Sequence, residues 1–88
     1  GTPDKVETFT EYCELYQINP AHVLYMGDDI PDYHVMQRVG LPTCPQDASP
    51  EIKAISHYIS HKNGGKGAVR EVIEQVMKVQ GKWHTYYN

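Results

Sequence analysis

Three aspartates lie within five residues of one another, directly after an apolar segment of the chain. They are Asp28, Asp29 and Asp32, and the apolar segment covers 23–27. Carboxylates this close together repel, so each raises the cost of ionising its neighbours, and a bound cation removes that cost. Ligands that are all oxygen favour Mg²⁺, which typically takes one or two carboxylates and keeps several waters. The spacing therefore indicates a magnesium site, with the alternative that one aspartate caps a helix and the others are solvated.

Two further segments could serve a phosphate group bound beside this acidic loop. Lys5 lies at the start of a predicted helix that leads into the apolar segment, where it could neutralise phosphate charge and be held by Asp32. Taken alone, it would be interpreted as a solvated surface lysine. A glycine-rich run opens the last predicted helix, and such backbone at a helix N-terminus suits an anion. It does not match the Walker pattern, so a plain loop into a helix is the alternative. The run consists of Gly64, Gly65, Lys66 and Gly67.

Helical and extended patterns alternate along the whole chain. They predict helices at 3–17, 31–39, 50–56 and 68–80, and strands at 23–27, 41–45 and 58–60. The order α-β-α-β-α-β-α is typical of an α/β fold with parallel strands and right-handed crossovers, a Rossmann-like half. Gly40 is predicted to end the second helix, and two prolines place 41–45 near a sheet edge. Ligands bind at the carboxyl ends of strands in such sheets, which is where the acidic loop lies.

Length, charge and cysteine usage narrow the functional classes. The chain has 88 residues, which suits one small domain or part of a larger one. A net charge of −3 without a basic stripe argues against a nucleic-acid partner. No apolar run is long enough for a membrane helix, so no membrane partner is expected. Cys13 and Cys44 form no CxxC pair, which indicates a reducing compartment and a cytoplasmic location. The first residue is Gly1 instead of Met, which is compatible with a fragment.

The acidic loop and its flanks resemble the fourth motif of haloacid dehalogenase-type phosphatases. The resemblance covers 23–32, then Val35-Met36, then 39–41. The run 64–71 is similar to the signature of the 3-deoxy-D-manno-octulosonate 8-phosphate phosphatases, and Asp4-Lys5 and 47–53 fit the same family. The resemblance spans essentially the whole chain in the right order. It implies that 1–88 is the C-terminal part of a single core domain. The chain would then begin at the third of the family's motifs. The N-terminal strand that carries the nucleophile would then be missing.

The resemblance implies a role for each residue of the site. The reaction would be magnesium-dependent hydrolysis of a sugar-acid phosphate through an aspartyl-phosphate. Asp28 matches the carboxylate that completes the Mg²⁺ site, and Lys5 matches the lysine that stabilises the phosphoryl group. Asp32 matches the carboxylate that positions this lysine and the metal's waters, and Asp29 is a possible further ligand. Pro31 departs from the family, because that position often carries an asparagine that contacts substrate.

Substrate and assembly stay open at this stage. The substrate is 3-deoxy-D-manno-octulosonate 8-phosphate or a related nine-carbon acid phosphate, which implies a place in lipopolysaccharide biosynthesis in the first case. The alternative is a non-catalytic or assembly domain fused to a cytidylyltransferase. The family usually forms tetramers in which the C-terminal tail reaches a neighbouring subunit, and Trp83, Tyr86 and Tyr87 suit such a contact. The 88 residues alone are expected to be inactive, because the nucleophile is absent from them.

Overall fold

Helices and parallel strands alternate through the computed structural model, which describes residues 5–79. Two short 3-10 helices, Pro20–His22 and Ile30–Asp32, precede and follow the first strand. The predicted α/β class and the predicted parallel strands are confirmed. The larger elements are α1 (Lys5–Leu15), β1 (Leu24–Met26), α2 (Tyr33–Met36), β2 (Leu41–Cys44), α3 (Pro50–Ile55), β3 (Tyr58–Ile59) and α4 (Ala68–Val79).

The strand β2 occupies the centre of the sheet, whose order is β1-β2-β3. The prediction of an edge position for 41–45 is therefore wrong. The carbonyl of Pro42 accepts a hydrogen bond from the backbone N–H of His57 at 2.8 Å, so its nitrogen also points toward β3. The pairing of β2 with β3 begins one residue later, where Thr43 lies opposite Tyr58. The missing N–H of the proline thus falls just before the ladder and removes no bond from it.

The segment after the acidic loop is helical over a shorter range than the predicted 31–39. Its α-helix ends at Met36, although the apolar residues Val35, Met36 and Val39 are all buried. Gly40 does not end this helix in a left-handed conformation, because its φ is not positive. Its backbone N–H instead donates to the carbonyl of Pro20 at 3.0 Å. This bond draws the chain toward the first 3-10 helix and away from the helical path.

Gly40 is required because the chain passes close to Ala21. A Cβ atom at position 40 would lie 1.8 Å from the Ala21 carbonyl oxygen and 2.6 Å from its carbon. We expect Gly40→Ala to lower the free energy of unfolding by about 2 kcal/mol, since a backbone clash is relieved only by moving the chain. Gly64→Ala is the matched control, because its Cβ would meet Asp47 at an ordinary 3.5 Å. Urea unfolding measures both, and equal midpoints would contradict the expectation.

A small core lies between β2 and the helices α2 and α3. Its buried members are Met36, Cys44, Ala48 and Ile52. Cys13 and Cys44 are both buried and form no disulfide, in agreement with the expected free thiols. None of the helices between residues 5 and 79 has the length and hydrophobicity that a membrane-spanning helix needs.

The apolar faces of the first and last helices are buried less than their patterns predict. Tyr16 is at helical spacing from the buried Cys13, yet it is 61% exposed, because α1 ends at Leu15 and the Tyr16 ring packs at a tilt against Tyr12. On α4, Val72 is buried, while Val69 and Ile73 are exposed. Val79 continues the apolar spacing of α4, and its side chain lies outside the described part of the structure. The predicted helix start at Thr2, Pro3 and Asp4 lies outside the described residues.

Candidate functional site

The carboxylate of Asp32 is the hub of the acidic loop. Its Oδ1 accepts hydrogen bonds from Lys5 Nζ at 2.9 Å and from the Tyr25 hydroxyl at 2.8 Å. Its Oδ2 accepts from the backbone N–H groups of Asp28 at 3.0 Å and Asp29 at 3.4 Å. The residue is only 5% exposed. The start of α1 and the acidic loop therefore meet at one edge of the sheet, and the expected contact of Asp32 with Lys5 is confirmed.

The donors around Asp32 decide its charge. Burial alone would raise the pKa of Asp32, but the hydrogen bonds from Lys5, Tyr25 and the two backbone N–H groups outweigh it and lower the pKa to about 2. For Tyr25, burial, followed by the hydrogen bond to Asp32 and the carboxylate charges, raises the pKa to about 12. At neutral pH the carboxylate is therefore ionised, and the phenol stays protonated and remains a donor.

The lowered pKa of Asp32 makes stability depend on pH in the acid range. Because the folded pKa of about 2 lies below the ordinary value of 3.8, the contribution is present above pH 3.8 and is lost as the pH falls through about 2. We expect the difference in unfolding free energy between the unaltered chain and Asp32→Ala to shrink by about 2 kcal/mol between about pH 5 and about pH 2. Urea unfolding without divalent cations measures it. Acid effects of other groups cancel in this difference, and a difference that stays constant would contradict the expectation.

Gly27, at the end of β1, leaves space for the side chain of Asp32. A Cβ atom there would lie 2.5 Å from Asp32 Cβ and 2.6 Å from Met36 Sδ. The glycine therefore allows the backbone to approach the protein's own side chains closely. The backbone N–H of Gly27 donates to the Thr43 carbonyl at 3.0 Å, which ties the loop to the sheet.

Asp28 and Asp29 differ in what their carboxylates contact. Asp29 caps the 3-10 helix Ile30–Asp32: its side chain accepts from the Ile30 N–H at 2.8 Å and forms a capping box with Asp32. One aspartate therefore does act as a cap, as the alternative interpretation held. Asp28 is exposed, and its carboxylate has no hydrogen bond or ion pair within the described residues. It faces a cleft that Asp29, Asp47, Ser49 and Gly64 also line.

The fit of a metal ion to this cleft is partial. Between residues 5 and 79, no group of three or more His, Cys, Asp or Glu side chains is arranged to hold a metal. An uncommitted, exposed carboxylate such as Asp28 nevertheless suits Mg²⁺, which commonly takes only one or two protein carboxylates and completes its shell with water and phosphate oxygens. The residues of this chain therefore fit one part of a magnesium site.

The glycine-rich run faces the acidic loop across a second part of the cleft. Gly64 and Gly65 line it together with Lys5 and Asp28, whereas Lys66 and Gly67 are not among its lining residues. Hydrogen bonds hold the run on both sides. Gly64 N–H donates to Asp47 Oδ1 at 2.8 Å, and Lys66 N–H donates to the Asn63 carbonyl at 3.0 Å. Positive φ angles of 75° at Gly65 and 95° at Gly67 show why glycine stands there.

Glu71 anchors this run from within α4. Its carboxylate accepts the Tyr58 hydroxyl at 2.7 and 2.9 Å and the His61 backbone N–H at 3.0 Å. Burial would raise the pKa of Glu71, but these hydrogen bonds outweigh it and lower the pKa. The end of β3 and the start of α4 are thereby held together on either side of the glycine-rich run.

Sequence reasoning gave no role to three residues of the site: Tyr25, Asp47 and Glu71. A signal existed for Tyr25, because a tyrosine within an apolar strand needs a partner for its hydroxyl and the acidic loop follows at once. Asp47 and Glu71 act across turns whose shape no local pattern predicts. Trp83, Tyr86 and Tyr87, predicted to contact another subunit, lie outside the described residues.

Comparison with known sequences agrees with this geometry. A family model described as haloacid dehalogenase-like hydrolase matches residues 2–73. A 3-deoxy-D-manno-octulosonate 8-phosphate phosphatase from Salmonella typhi is 40% identical over 82 residues, which cover 93% of this chain and 44% of the relative. The chain thus spans less than half the length of the curated relatives that it matches.

Solved structures share the fold of this chain. The 3-deoxy-D-manno-octulosonate 8-phosphate phosphatase from Yersinia pestis superimposes with a TM-score of 0.87 at 38% identity, over 96% of this chain and 45% of that one. The enzyme of the same description from Moraxella catarrhalis gives a TM-score of 0.90 at 32% identity, over 99% of this chain and 50% of that one. That structure is a complex with a magnesium ion, a phosphate ion and a KDO molecule.

Proposed function

This chain belongs to the haloacid dehalogenase-like hydrolases, and we propose that it supplies part of the active site of a magnesium-dependent phosphatase. One observation carries the proposal: the Lys5–Asp32 ion pair and the uncommitted carboxylate of Asp28 border the same cleft. A fixed cation beside an available metal ligand is the arrangement that phosphoryl transfer requires, because charge develops on the phosphoryl oxygens.

In this proposal each side chain has a separate task. Asp28 binds Mg²⁺, and Asp29 supports the loop as a cap, since its carboxylate accepts the Ile30 N–H. Lys5 contacts the phosphoryl oxygens with an ammonium group that is partly open to the cleft, since its side chain is 52% exposed. Asp32 holds Lys5 in place. When bound, Mg²⁺ neutralises phosphate charge and orients the reacting group.

The nucleophile is proposed to come from a segment outside residues 1–88. The open edge of β1 supports this, because within the described residues β1 pairs only with β2. The family resemblance implies a nucleophile strand beside the strand that carries the acidic loop. Such a strand would bring its carboxylate next to Asp28 and Lys5 and would also cover an edge that otherwise invites association.

The proposed substrate is a sugar-acid phosphate, either 3-deoxy-D-manno-octulosonate 8-phosphate or a related nine-carbon acid phosphate. The names of the relatives support the first. Gly64 and Gly65 would contact the substrate, because they border the cleft opposite Lys5. A homotetramer in which Trp83, Tyr86 and Tyr87 contact a neighbouring subunit is part of the same proposal. Turnover of the two phosphates at equal concentration discriminates between the substrates.

The test uses this chain alone and a joined protein, in which the chain follows the amino-terminal part of the Yersinia pestis phosphatase. We expect no phosphate release from the chain alone. The joined protein should release phosphate from 3-deoxy-D-manno-octulosonate 8-phosphate in the presence of Mg²⁺ and lose this activity on Lys5→Met. Turnover by the chain alone would contradict the proposal. So would a joined protein that unfolds in one cooperative transition yet has no magnesium-dependent turnover.

A further inference from the structure

Of the four groups between residues 5 and 79 that donate to Asp32, Tyr25 alone comes from neither the acidic loop nor α1. It lies on β1, three residues before Asp28, and its hydroxyl is 2.8 Å from Asp32 Oδ1. Lys5 Nζ approaches the same oxygen at 2.9 Å. Oδ2 is occupied by two backbone N–H groups, so every oxygen of this carboxylate already has two donors.

Sharing one oxygen restricts where the ammonium group of Lys5 can lie. A carboxylate oxygen offers two lone-pair directions, and the Tyr25 hydroxyl takes one of them. Lys5 is left with the other direction, and in that position it borders the cleft that Asp28 and Gly64 also line. Without the hydroxyl, an ammonium on a flexible stem with a half-exposed side chain could bind Oδ1 from either side.

The ring of Tyr25 adds a second constraint on the same helix. It packs edge-to-face on Phe9, with ring centroids 6.5 Å apart and planes at 77°. Phe9 follows Lys5 by four residues and therefore lies on the same face of α1. The ring thus sets the distance of α1 from β1, and the hydroxyl sets the orientation of the carboxylate that Lys5 binds.

We propose that Tyr25 is a positioning residue for Lys5: its hydroxyl occupies one side of Asp32 Oδ1 and directs the Lys5 ammonium into the cleft. The importance of this role for catalysis rests on the proposed function. The placement of Lys5 does not, and it can be measured in the full chain without any turnover.

The experiment observes the Lys5 ammonium by ¹H–¹⁵N NMR of the full chain, in mildly acidic buffer at low temperature. Such signals are seen when a hydrogen bond slows exchange with water, and Lys5→Arg assigns the signal. We expect Tyr25→Phe to shift and broaden the Lys5 signal or to abolish it, because the ammonium group then alternates between the two sides of Asp32 Oδ1. Phenylalanine keeps the ring contact with Phe9, so the backbone amide spectrum should stay dispersed.

Tyr16→Phe is the matched control, because Tyr16 is exposed and its hydroxyl makes no hydrogen bond within the described residues. It should leave the Lys5 signal unchanged. An unchanged signal in Tyr25→Phe would overturn the proposal. Loss of amide dispersion in Tyr25→Phe would overturn it too, because the hydroxyl would then support the fold and not the position of Lys5. Inactivity of the joined protein would count against the proposed function while leaving the NMR result intact.

Discussion

Asp32→Ala is expected to lower the free energy of unfolding by about 2–4 kcal/mol, the largest stability effect in the acidic loop. Alanine removes the acceptor of three part-buried hydrogen bonds, from the Tyr25 hydroxyl and from the N–H groups of Asp28 and Asp29. Each buried donor without a partner costs about 1–3 kcal/mol. Lys5 adds little to this total, because its side chain is half exposed and can return to water.

Asp47→Ala is the matched control for this prediction. Asp47 is an exposed aspartate that accepts a single backbone N–H, from Gly64. Its loss should lower the free energy of unfolding by no more than about 1 kcal/mol. Urea unfolding at neutral pH measures both variants. Equal free energies of unfolding for the two variants would show that the four bonds to Asp32 do not act as a buried network.

The same substitution should also reduce turnover of the joined protein. Without Asp32 the Lys5 ammonium loses its fixed position. Contact with the phosphoryl oxygens then requires a flexible side chain to become ordered, which costs conformational entropy. We expect kcat to fall on the order of 10²–10³-fold, the usual range for loss of a preorganised charge contact. Asp32→Asn separates size from charge. Asparagine keeps the volume of the side chain, but its NH₂ group must face two of the four donors that Asp32 accepts. The kcat of this variant should therefore also be strongly reduced.

The parts of the fold that depend on short-range patterns were predictable. The apolar run before the acidic loop predicts a parallel strand, and Ser49-Pro50 predicts the start of α3, because proline at the first helical position restricts the chain locally. The position of β2 was not predictable in this way. Whether Pro42 removes a ladder bond depends on which side its nitrogen faces and where β3 begins, and only the assembled sheet determines that.

The role of Gly40 could not be predicted from short-range patterns either. A glycine after an apolar helical pattern favours a left-handed helix end, yet here it allows the chain to pass Ala21, which lies nineteen positions earlier. The contact is non-local, so a local pattern could not reveal it. The acidic loop was predictable in part. Its place at a strand end and its contact with Lys5 follow from the order of elements, whereas the hydroxyl of Tyr25 depends on the direction of one strand side chain.

Asp28→Asn in the joined protein is expected to lower kcat on the order of 10³-fold and to raise the Mg²⁺ concentration needed for half-maximal activity. An amide oxygen keeps the shape of the ligand but carries no charge, so it binds a hard dication more weakly. Stability should hardly change, because the Asp28 carboxylate is exposed and makes no hydrogen bond or ion pair within residues 5–79. Phosphate release across a magnesium titration, together with urea unfolding, measures both effects.

Asp29→Asn is the matched control for the metal prediction. Asparagine also caps helices well, so the bond to Ile30 N–H should persist and the loop should keep its shape. Both variants remove one negative charge from adjacent positions, so a general electrostatic effect on Mg²⁺ would appear in both. A much larger loss of kcat in Asp28→Asn than in Asp29→Asn assigns the metal contact to Asp28. Equal losses would contradict that assignment, and a fall in stability confined to Asp28→Asn would mean that its carboxylate supports the loop instead.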